Sequence, residues 1–111
     1  YNLIYFFRKH GMGKIAIYGW GEAGRFLYEM ATDAGIEVSY AMDRNQFSDE
    51  SRLPVYQSFQ ELPEVDAVVV TAIQAYADIE ASIRPFFTCP IVSMDDIVAE
   101  CKVDLIDSAV S

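Results

Sequence analysis

A chain of 111 residues, 52% of them hydrophobic, is long enough for one domain with a real core and too apolar for a disordered segment. Eight Lys+Arg against seventeen Asp+Glu leave a formal net charge of −9, which repels nucleic acid and anionic lipid. Apolar runs such as LIYFF and AVVVTAI fall well short of the roughly 18 residues of a membrane span, and no secretory leader pattern is seen, so a cytoplasmic protein without membrane insertion or nucleic-acid partner is expected.

The chain opens at Tyr1 with NLIYFFRKH, which reads as a helix already under way, Leu3, Ile4, Phe6 and Phe7 crowding one side. With no initiator Met, this suggests a module cut from a longer protein, the plainer alternatives being processing or further residues ahead of Tyr1. Gly11 suits the position just past a helix end. KIAIYG follows, a short β-rich apolar run that stops at a glycine, as a buried parallel strand does. In EAGRFLYEMATDAG, residues Ala23, Phe26, Leu27, Met30, Ala31 and Ala34 recur at i, i+3, i+4, i+7, i+8 and i+11, one helical stripe, with Gly35 at the C-terminal cap. The period then changes to two in IEVSYAMD, so Val38, Tyr40 and Met42 should share one strand face, with Asp43 at the carboxyl end. Strand, glycine turn, helix and strand make a βαβ unit of about thirty residues.

RNQFSDESR is polar and reads as a loop, and LPVY as a short strand. Ser58 and Glu61 stand in capping-box spacing ahead of Pro63, which predicts one helical turn. DAVVVTAI is the continuous β-branched run of a sheet centre. The next helix carries Tyr76, Ile79 and Ile83 on one stripe and must end near Arg84, before Pro85. CPIVSM predicts a fifth strand, DDIVAEC a closing helix with Asp95 as its N-cap, and KVDLIDSAVS is weakly patterned. Strands alternating with helices imply an α/β fold: a three-layer, doubly wound parallel sheet of about five strands, simplest in the order 3-2-1-4-5.

Gly19, Gly21 and Gly24 have the G-x-G-x-x-G spacing, after a predicted strand, opening a predicted helix, with an acid after the next strand. That is the context a dinucleotide fingerprint demands. Gly19 permits the tight turn, Gly21 lets a pyrophosphate approach the backbone, and Gly24 lets helix pack on strand. The first helical turn, at Glu22 and Ala23, offers free N–H groups and a partial positive charge to phosphates. The Glu22 side chain would repel a pyrophosphate if it pointed inward, and the outward orientation that complements the helix dipole is favoured. Asp43 lies nineteen residues beyond Gly24 and can accept hydrogen bonds from both ribose hydroxyls, which favours NAD. The alternative for Asp43 is a strand-end acid that organises its own turn. Arg44 can pair with a 2′-phosphate and so admits NADP. Thr71, Ala72 and Gln74 follow the fourth strand, at the crevice where ligands of open α/β sheets lie, and serve equally well as strand-end and cap residues. Trp20 stands between the first two glycines. Its indole either swings outward, stacks on a base or sugar, or plugs the site.

No Tyr-x-x-x-Lys pair is present, and Asp95-Asp96 diverge on a helix. The lone His10 and the unspaced Cys89 and Cys101 suggest no metal site.

KIAIYGWGEAGRFLYEM, AMDRN, LPVY, VDAVVVTAI and CPIVSMDDIV resemble the Rossmann-like nucleotide-binding domains of bacterial surface-polysaccharide proteins. These precede capsular nucleotide-sugar dehydratases and epimerases and sugar O-acyltransferases, and accompany some glycosyltransferases. The resemblance runs from about Lys14 to Val98. It implies a domain that binds a nucleotide, a dinucleotide such as NAD or NADP, a nucleotide-sugar or a CoA-type nucleotide, often without catalysing a reaction alone. Gly19, Gly21, Gly24 and Asp43 carry over residue by residue, and Trp20 departs from the small residue usual at its position. The implied organisation is an N-terminal helix and turn over 1–13, the nucleotide-binding domain over 14–101 and a tail over 102–111, with a homo-oligomer or parent-protein domains as partners. Two other readings stand beside it. One is the catalytic half of a dehydrogenase or methyltransferase. The other is an assembly module that keeps its glycines for geometry and uses an exposed Trp20 and the NLIYFF helix as contact surface, with a sensor like the regulatory domains of potassium channels as a variant.

Overall fold

The computed structural model describes residues 4–43, 53–57 and 62–101. Arg44, the predicted polar loop, the predicted helical turn from Ser58 to Glu61 and the tail over 102–111 lie outside those residues.

Helix α1 (Ile4–Lys9) leads into β1 (Lys14–Tyr18), α2 (Glu22–Asp33) and β2 (Glu37–Met42). Then come β3 (Val55–Tyr56), β4 (Ala67–Val70), α3 (Tyr76–Ile83), β5 (Ile91–Ser93) and α4 (94–101). Single 3-10 turns, Ile73–Ala75 and Arg84–Phe86, bracket α3. The strands form one parallel sheet in the order β3-β2-β1-β4-β5, the doubly wound arrangement that the alternation of elements predicts.

Both faces of the sheet are covered. On one, Ile15, Ile17, Ala41, Ala67 and Val69 meet Phe6 and Phe7 of α1, Leu27 and Ala31 of α2, and Ile97 and Cys101 of α4. On the other, Ala16, Tyr18, Tyr40, Met42, Val68 and Val70 meet Ile79 and Ile83 of α3. Alternate side chains of a strand point to opposite faces, so a strand buried on both must be apolar at every position. AVVV of β4 is buried throughout for that reason.

Three expectations need correction. Val38 does not share a face with Tyr40 and Met42. The β1–β2 register passes from Ile15↔Val38 to Ala16↔Tyr40, so Ser39 is an extra residue that reverses the alternation. Val38 therefore packs on the α2 layer, whereas Tyr40 and Met42 pack on the α3 layer. Phe26 leaves the helical stripe and is 57% exposed. Helix α2 presents Gly24, Leu27 and Ala31 to the sheet, and a residue two positions beyond Gly24 lies about 200° round the helix, on the solvent side. Finally, the cap of α4 is Ser93, not Asp95: the Ser93 hydroxyl accepts the Asp96 N–H at 3.0 Å. Helix α4 starts directly from the last residue of β5, which places the cap two residues earlier than the acid pair suggests.

Helix α1 closes one end of the α2 layer. Arg8 donates to the Ala34 carbonyl at 3.1 Å, and His10 lies 2.8 Å from Glu100 of α4. Among the described residues no helix is long and apolar enough to cross a membrane.

Candidate functional site

Strands β1 and β4 are neighbours, yet α2 and α3, which follow them, pack on opposite faces. Their connections diverge above the carboxyl edge and open a crevice there. A cleft of about 330 Å³ occupies it, lined by Tyr18 and Gly19 of β1 and its turn, Asp43 after β2, Ala72 and Ala75 of the β4–α3 connection, and Asp78 and Ile79 of α3.

The glycine turn is held from three sides. Gly19 has φ +100°, a conformation that a side chain strains, and an added Cβ would meet Thr71 Oγ1 at 2.5 Å. The Gly19 N–H donates to Met42 O at 2.8 Å. The Thr71 hydroxyl lies 2.9 Å from Gly19 O, and the Thr71 N–H donates to Tyr18 O at 3.0 Å. A Cβ at Gly24 would land on the Gly19 carbonyl oxygen, so this glycine is what lets α2 leave the sheet so closely. Gly21 differs. Its φ is −92°, and no atom lies within 4 Å of a Cβ built there. The fold needs glycine at 19 and 24, whereas the missing side chain at 21 leaves open space at the start of α2, where the N-cap makes no side-chain hydrogen bond.

Trp20 takes none of the three orientations considered for it. The indole is 2% exposed, meets Tyr28 of α2 edge-on at 5.6 Å, and belongs to the core layer beneath α2. It is absent from the walls of the cleft. Its backbone N–H donates to Asp43 Oδ2 at 2.7 Å, while the Asp43 N–H donates to Tyr56 O at 3.1 Å. Asp43 thus joins the glycine turn to the ends of β2 and β3 and also lines the cleft.

Of the other residues singled out from sequence, Ala72 lines the cleft and Thr71 braces the turn beneath it. Glu22 and Ala23 are exposed on the first turn of α2, outside the cleft walls, and Gln74 is exposed as well. Tyr18, Ala75, Asp78 and Ile79 line the cleft without being singled out by the sequence as site residues. The available signal was an acid in the first turn of the helix that follows the central strand.

Burial, then the proximity of Cys89 and Tyr56, pushes the Tyr40 phenol up to about 12, and its hydroxyl has no hydrogen-bond partner among the described residues. Burial also raises Tyr76 and Cys89. None of the three lines the cleft, whose walls include two acidic residues, Asp43 and Asp78. Such a cleft is equipped to accept hydrogen bonds and to hold a ligand. Among the described residues no group of His, Cys, Asp and Glu is placed to hold a metal ion. Comparison with protein-family models, with curated proteins and with solved structures finds no match to this chain.

Proposed function

We propose that this chain is a nucleotide-binding module, taking a dinucleotide such as NAD or NADP, a nucleotide-sugar or a CoA-type nucleotide at the carboxyl edge of its sheet. The observation that carries the reading is the cleft at the β1–β4 divergence, with Gly19 on its floor and Asp43 on its wall. The open space at Gly21 supports it, because neither backbone conformation nor packing asks for glycine there. The sequence resemblance extends the proposal to a role within a larger protein of bacterial surface-polysaccharide or nucleotide-sugar metabolism. An assembly surface centred on Trp20 has no support, since that indole is buried.

A thermal-shift screen of NAD, NADH, NADP, UDP-sugars, CoA and S-adenosylmethionine tests the proposal. A ligand at a hundredfold over its Kd stabilises by about 2.7 kcal/mol, which raises the Tm of a domain this size by about 10 °C or more. Silence across the panel overturns the reading.

A further inference from the structure

We infer that the cleft takes a neutral or cationic group rich in hydroxyl or amine donors, and that Asp78 sets this preference by excluding phosphate. The inference rests on the nucleotide-binding reading and names the end of such a ligand that enters: the ribosyl or sugar end, with any phosphate outside the cleft.

Two acidic residues line the cleft from separate elements, Asp43 after the end of β2 and Asp78 in the first turn of α3. The rest of the wall is Tyr18, Gly19, Ala72, Ala75 and Ile79, and among the described residues that line it none is basic. An ionised carboxylate only accepts hydrogen bonds, so its partner must donate them. A phosphate brings acceptors and negative charge, and here it would lose hydration beside two acids with no basic side chain among the described lining residues to offset the repulsion. The formal net charge of −9 adds a field of the same sign. A vicinal diol or an amine brings donors and no such repulsion. The helix dipole accounts for an acid somewhere in the first turn of α3. It does not account for the acid standing at the position that borders the cleft, which Asp78 does.

NMR titration, which reads millimolar affinities, tests this with matched probes: adenosine against AMP, uridine against UMP, then NAD and UDP-glucose. Asp78 is exposed, and the hydrogen bond it receives from Ser82 goes to its backbone carbonyl, so substitution leaves the helix intact. In the unaltered chain each nucleoside should bind at least as tightly as its monophosphate. Asp78→Asn should improve the monophosphate relative to the nucleoside by about fivefold at low salt, and less at high salt. Asp78→Lys should reverse the order. Preference for the phosphorylated probe that Asp78→Asn does not move overturns this inference and leaves nucleotide binding standing. Absence of binding by every probe overturns both.

Discussion

At the scale of single residues, the three glycines of one motif do different work, and the difference is measurable. Gly24→Ala forces a methyl group onto a backbone carbonyl that cannot move without disturbing the turn. It should cost about 3 kcal/mol or more in urea unfolding. Gly21→Ala meets no atom and keeps an ordinary φ, so it should cost less than about 1 kcal/mol, the usual difference between these residues at an N-cap. If Gly21 serves a ligand, that mild variant should still lose affinity, and equal affinity would count against the role. Asp43 needs similar care. Asp43→Ala removes the acceptor of the Trp20 N–H as well as a cleft carboxylate, and should cost about 1–3 kcal/mol by itself. Asp43→Asn keeps an acceptor oxygen for that N–H while removing the charge and exchanging the other acceptor oxygen for an NH2 donor. It is the variant in which weakened nucleotide binding, read by titration, reports on the cleft.

At the scale of elements, the ends of strands and helices carry the specific polar contacts. Asp66 Oδ2 accepts the N–H groups of Gly13 and Lys14, each at 2.9 Å, and so pins the start of β1 to the start of β4. The Tyr76 hydroxyl donates to Ile91 O at 2.9 Å and ties α3 to edge strand β5. The cap of α4 separates two readings of one stretch. Ser93→Ala should destabilise by about 1 kcal/mol, whereas Asp95→Ala should stay within about 0.5 kcal/mol. Chemical denaturation of the two variants decides between them, and the opposite ranking would restore Asp95 as the cap. The serine was visible in the sequence, but its role depended on where β5 ends, which pairing with β4 determines.

Across the whole molecule, the most telling group is one that does nothing polar. Tyr40 is fully buried and its hydroxyl has no partner among the described residues. Tyr40→Phe should therefore leave stability at neutral pH unchanged or slightly raised, since an unmet buried hydroxyl is removed with its desolvation cost. The same burial ties folding to pH. The folded-state pKa of Tyr40 is raised from 10.0 to about 12, so the folded protein holds this proton where the unfolded chain releases it. Stability from this group is complete below pH 10 and is lost as pH rises through about 12. The raised Cys89 and Tyr76 values act in the same direction. Unfolding midpoints measured from pH 8 to 12 should fall at the alkaline end, and Tyr40→Phe should flatten that fall. An unchanged slope in the variant would assign the alkaline loss to other groups.

The order of strands, the two-sided core and the glycine turn were legible in the sequence because each rests on pattern along the chain: continuous β-branched runs alternating with stripes of period 3.6, and glycines at fixed offsets. The face of Val38, the exposure of Phe26 and the cap of α4 were not, since each depends on a contact between elements. A bulge at Ser39 appears only in the pairing with β1, and the rotation of α2 only in the seat of Gly24 on the Gly19 carbonyl. The site divides in the same way. Gly19 and Asp43 announce themselves by spacing, whereas Asp78 enters because α3 packs on the face opposite α2 and its first turn borders the crevice. Trp20 marks the boundary most clearly. Sequence places its backbone in the glycine turn. Only the packing of α2 over the sheet, with Tyr28 above a space large enough for an indole, determines that the side chain is core and the cleft stays open.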